Sequence, residues 1–87
     1  MRVVDARRSR EALAEGLALS GLTVEELAGR CTALGDDVTP ALLRRMVGTT
    51  AERGDHEHDV VAAALHERFL ETGEPRRTPL SADLPAP

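Results

Sequence analysis

Apolar positions recur at helical spacing in four separate stretches of the chain. Leu13 and Leu17 lie one turn apart, with Ala6, Arg10, Ala14 and Ala18 nearby on the same side, which predicts a first helix from about Ala6 to Leu19. Ser20 and Gly21 close it, because glycine accepts the left-handed conformation that ends many helices. The second helix is announced by Thr23-Val24-Glu25-Glu26, a capping box in which the Thr hydroxyl and the Glu carboxylate each take a free backbone amide. Leu22 stands just before the cap as a hydrophobic staple. Val24, Leu27, Ala28 and Cys31 then mark one buried face, and Gly35-Asp36-Asp37 ends the element.

A third helix starts at Thr39-Pro40, since Thr is a good N-cap and Pro suits the first helical position. Leu42, Leu43, Met46 and Val47 fall on one side, Ala41, Arg44 and Arg45 on the other, and Gly48 is the stop. Residues 49–58 form a charged loop broken by Gly54. The fourth helix runs from about His56 to Glu71, with Val61, Leu65 and Phe69 recurring every four residues and Ala62, Ala64 and Leu70 beside them. Asp55, Glu57 and Asp59 suit the positive end of its dipole, and Gly73 terminates it. Residues 1–7, with Val3 and Val4, are either a short extended arm or the lead into the first helix. Residues 74–87 hold four of the five prolines and few apolar anchors, the composition of a flexible tail. The pattern thus predicts an all-α, four-helix domain over residues 1–73, followed by a disordered C-terminal tail over 74–87, with no internal repeat.

Composition agrees. Eighty-seven residues allow one domain. Leu and Ala dominate the apolar set, Ile is absent, and Phe69 is the only aromatic residue, so a β-sandwich is excluded on propensity. No run of 18 apolar residues predicts a membrane span, and no charged start followed by an apolar stretch predicts a secretory signal. Cys31 is the single cysteine. It cannot form an internal disulfide, so a cytoplasmic location is expected, and its helix face makes it a core residue rather than a reactive thiol. A domain this small buries only about 60% of its unfolded surface, from which a homodimer is expected.

The net charge of −4 is unevenly spread. Residues 1–48 balance seven Arg against seven acids, whereas residues 49–87 set four Arg against eight acids. A basic patch is therefore available only to the first half. Lys, Asn and Gln are absent, so the bidentate amide contact to adenine is unavailable, while Arg retains its bidentate contact to guanine.

The stretch Ser20-Gly21-Leu22-Thr23-Val24-Glu25-Glu26-Leu27-Ala28 resembles the opening of the lambda-repressor-like, xenobiotic-response-element type helix-turn-helix family. The resemblance spans about residues 10–70. It implies that the helix beginning Thr39-Pro40-Ala41-Leu42-Leu43-Arg44-Arg45-Met46 docks in the major groove of double-stranded DNA, and that Val60 to Phe69 form the closing helix. Val24 stands where family members often carry Gln, and Asp36 and Asp37 precede the docking helix, where phosphates would repel them. The residues support the same reading independently. A recognition helix needs an apolar side that locks it in place and an outer side with small residues and donors. The DNA-binding candidates are Thr39, Ala41, Arg44 and Arg45, with Arg7, Arg8 and Arg10 serving phosphates or a minor-groove arm.

Asp55-His56-Glu57-His58-Asp59, with His66 beyond, is dense in metal-ligand types. His56 and His58 splay apart on a helix, however, and an acidic first turn accounts for the carboxylates, so no metal is expected. No phosphate loop, nucleophile–base pair or carrier attachment motif is present, and neither catalysis nor a cofactor is expected. The leading expectation is a small DNA-binding transcriptional regulator. The alternative is an acidic helical module that binds another protein, such as an antitoxin, an anti-sigma-like modulator or an assembly adaptor.

Overall fold

The computed structural model describes residues 3–85. Four α-helices make up the fold: α1 (Ala6–Ser20), α2 (Val24–Ala33), α3 (Pro40–Gly48) and α4 (Asp55–Thr72). Side chains or glycines set their ends. The Asp5 carboxylate caps α1 by accepting from the amides of Arg7 and Arg8 at 3.0 and 3.1 Å, a cap that the sequence reading did not single out. Gly21, at φ +70°, ends the helix in the left-handed region. Both halves of the α2 capping box form, with Thr23 N donating to Glu26 at 2.9 Å and Glu26 N to the Thr23 hydroxyl at 3.1 Å. Thr39 caps α3 by accepting from Leu42 N at 3.1 Å. At α4, the Glu57 carboxylate reaches back to Gly54 N at 3.1 Å.

These ends bring one apolar face of each helix to a common centre. Leu13, Leu27, Cys31, Leu43, Met46, Val61, Leu65 and Phe69 are all buried there, which places Cys31 in the core. Burial pushes its thiol up to about 11, so it is not a nucleophile at neutral pH. Both α1 and α2 pack against both α3 and α4. Consequently α3 is clamped along its Leu43–Met46 side and free on the opposite one. Residues before α1 take the extended alternative: Val3 forms an isolated antiparallel bridge to Gly54, and Val4 is buried.

Three arginines serve the framework. Arg30 grips Glu71 with two bonds, 2.8 and 2.9 Å, tying α2 to α4, and this contact holds the Glu71 carboxyl below its ordinary range. Arg68 donates to Ser20 O at the end of α1. Arg53, only 2% exposed, donates to the carbonyls of Met46, Thr49 and Ala51.

The all-α class and the four helices agree with the sequence pattern. The Pro-rich segment after Gly73 has few apolar anchors, as its composition indicates, yet Thr78, Pro79 and Ser81 are hydrogen-bonded to α4. Thr78 and Ser81 are buried there, and Ser81–Asp83 form one 3-10 turn against α4. The last two residues of the expected tail lie outside the described residues, as do Met1 and Arg2 of the arm. Among the described residues, no helix is long and apolar enough to cross a membrane.

Candidate nucleic-acid interface

α2 and α3 are joined by the turn 34–39 and packed against each other. Leu43 and Met46 of α3 are buried, whereas Thr39, Ala41, Arg44 and Arg45 are exposed. The outward position of these four follows from the helical period once Leu43 and Met46 point inward. Thr39 has two tasks available: its hydroxyl oxygen accepts from Leu42 N, and the hydroxyl proton remains free for an external acceptor.

The two α3 arginines differ in their surroundings. Arg44 is ion-paired with Glu25 of α2, both side chains being more than half exposed. Backbone hydrogen bonding at the start of α2, and then Arg44, hold the Glu25 carboxyl below its ordinary value. Arg45 makes no ion pair among the described residues. On α1, Arg7 pairs with Glu11 one turn on, at 3.4 Å. Arg8 is exposed and Arg10 half-buried, and Arg10 is close enough to Arg53 for their charges to interact. The candidate arginines therefore form two groups, with Arg44 and Arg7 partly neutralised by neighbouring acids.

At the turn ahead of α3, Asp36 accepts from His56 Nε2 at 2.7 Å. Hydrogen bonding to Asp36, with the attraction of its charge, raises the His56 pKa. Asp36 at this turn thus has a histidine partner on α4. Asp37 is exposed beside it.

Sequence reasoning missed Arg53. With no carboxylate ion pair among the described residues, its guanidinium fills the carbonyl end of α3 and folds the following loop around itself. Basic side chains favour that end of a helix dipole. Position just beyond the Gly48 stop was the only available signal, and it did not separate Arg53 from its charged neighbours.

The histidine-rich stretch also resolves into definite tasks. His58 is fully buried on α4. Its Nε2 lies 2.7 Å from Pro79 O and its Nδ1 2.7 Å from Ser9 Oγ. A carbonyl only accepts, so neutral His58 carries its proton on Nε2, and Ser9 donates to Nδ1. Two turns along α4, His66 Nε2 donates to Thr78 O at 2.8 Å. The Asp59 carboxylate accepts from Ser81 N and Ser81 Oγ, both at 2.7 Å. Asp59 therefore serves the C-terminal segment rather than the first-turn dipole. Among the described residues, no three His, Cys, Asp or Glu side chains gather as a metal set.

Comparison with protein-family models, curated proteins and solved structures finds no match to this chain.

Proposed function

We propose that this protein is a small helix-turn-helix transcriptional regulator that reads double-stranded DNA with α3 and acts as a homodimer in the cytoplasm. The observation that carries the reading is the division of α3: Leu43 and Met46 are locked in the core while Ala41, Arg44 and Arg45 face outward. Side chains secure both ends of that helix, Thr39 at the first turn and Arg53 at the last. A rigid reader so presented loses little conformational freedom on binding.

Arg45 is available to a guanine edge, and Arg44 exchanges Glu25 for one. An exposed ion pair in water is weak, whereas a bidentate guanine contact is worth about 1–3 kcal/mol of discrimination. Thr39 and the α1 arginines supply phosphate contacts that set the register. In a dimer the two copies of α3 meet half-sites about 34–36 Å apart.

The test is selection from random duplexes, followed by titration of the wild type and of the Arg44→Ala/Arg45→Ala double variant across salt concentration. Enrichment of guanine-containing half-sites is expected. The double variant should lose specific binding and show a shallower salt dependence, because fewer counterions are released. A wild type that enriches no sequence and binds duplex no tighter than about 10⁻⁴–10⁻⁶ M sinks the reading.

A second reading, a helical module that binds another protein, draws on the pairing of Arg7 with Glu11 and of Arg44 with Glu25. It also draws on the acid excess after residue 48. Retained fold and partner capture without duplex binding would select it.

A further inference from the structure

The C-terminal segment is held in an unusual manner. Its buried residues are Thr78 and Ser81, both polar, while Leu80 is 39% exposed. Anchorage consists of hydrogen bonds between the peptide and three α4 side chains: His66 donates to Thr78 O, His58 donates to Pro79 O, and Asp59 accepts from the amide and hydroxyl of Ser81. On α1, Gly16 supplies the clearance. A side chain there would overlap the Thr78 hydroxyl. The floor beneath the segment is the core itself, including Leu65 and Phe69.

Such an arrangement has the features of a peptide-binding groove. Donors are fixed for two successive carbonyls, one carboxylate reads a serine by both its N–H and O–H, and a glycine-floored recess admits a threonine side chain. The occupant happens to be covalently attached. A segment held, among the described residues, without a buried apolar side chain opens locally at a cost below that of global unfolding.

We propose that the α1–α4 groove is a reversible peptide site that accepts residues 78–81 from a second copy of this chain as well as from its own. The proposal rests on the dimeric part of the functional reading and is independent of DNA. One feature permits a second copy and another favours it. Residues 73–77 bridge the end of α4 and the first anchored carbonyl, and five residues span about 17 Å when extended. That distance reaches across two α4 helices packed at about 8–10 Å. Leu70, 80% exposed on the last turns of α4, stands beside this hinge and lines the same mouth as Glu74–Arg77, where a second α4 would cover it. Exchange of an identical element between copies is a low-cost route to a dimer.

The probe is a fluorescein-labelled synthetic peptide of residues 74–85, titrated by anisotropy into the full-length wild type and the full-length Ser81→Glu variant. Ser81→Glu sets a carboxylate against Asp59 and so evicts the chain's own segment while leaving the groove unchanged. Binding to the variant should be saturable and about tenfold tighter than to the wild type, whose groove is mostly filled. A peptide carrying Ser81→Glu should not bind. Absence of saturable binding to both chains, or equal binding of the two peptides, overturns the proposal. Should Ser81→Glu unfold the chain, hydrogen exchange on the wild type decides. Exchange of the Ser81 amide well ahead of Leu65 supports release, and equal rates overturn it. Sedimentation of the wild type separates the two readings. A dimer without peptide binding removes the groove and keeps the dimer, whereas a monomer that binds the peptide overturns the second copy as occupant.

Discussion

Thr78 crosses α1 over Gly16, with its hydroxyl oxygen in the space that a β-carbon at position 16 would fill. The same β-carbon would lie 2.7 Å from Leu65 Cδ1. One missing side chain in the middle of α1 therefore lets the C-terminal segment and α4 approach this helix together.

Gly16→Ala is expected to destabilise the fold. Overpacking costs about 1–3 kcal/mol, and the better helix propensity of alanine offsets about 1 kcal/mol of that. A net loss of up to about 2 kcal/mol should appear as a lowered urea midpoint. A raised midpoint would mean that Thr78 and Leu65 move aside freely.

His58→Ala should be more damaging than His66→Ala. The first leaves the Ser9 hydroxyl without a partner in a fully buried space, removes the donor to the part-buried Pro79 O, and opens a cavity as well. Each orphaned buried group costs about 1–3 kcal/mol, so a loss of about 3 kcal/mol or more is expected in denaturant melts. His66 is half-buried and holds one carbonyl, so its loss should stay near about 1 kcal/mol. Equal effects would show that Ser9 finds another partner.

Arg53→Met retains the apolar stem and removes the donors to three carbonyls. Met46 O lies in the interior, so a loss of about 1–3 kcal/mol is expected. Duplex affinity should fall as well, although Arg53 does not face outward, because the end of α3 loosens. Unchanged stability by thermal melt would show that water replaces the guanidinium.

His56 and Asp36 set a pH dependence with a definite sign. The histidine pKa is raised in the folded chain above its ordinary 6.5. Stability from this pair is therefore fully present below about pH 6.5, the unfolded value, and is lost as pH rises through the higher folded value. The wild-type melting temperature minus that of His56→Ala should be larger at pH 6 than at pH 8. A difference independent of pH would mean that the pair does not form in solution.

Local signals determined the four helices. The Thr23–Glu26 box, the Thr39-Pro40 start and the Gly21 and Gly73 stops act within a few residues, and the apolar faces follow the helical period. Both kinds of information lie along the chain, so they were legible without the fold. The outward position of Ala41, Arg44 and Arg45 was legible for the same reason. Tertiary structure alone decided which charges find partners across helices. Glu25 meets Arg44 and Glu71 meets Arg30 across helices, Arg53 turns inward to carbonyls, and His58, His66 and Asp59 hold a segment that joins the chain well beyond them. A proline-rich composition with few apolar residues states that a segment cannot build a core of its own. Whether donors on α4 and a gap at Gly16 await it depends on residues brought together only when α1 packs on α4, and no spacing along the chain encodes that meeting.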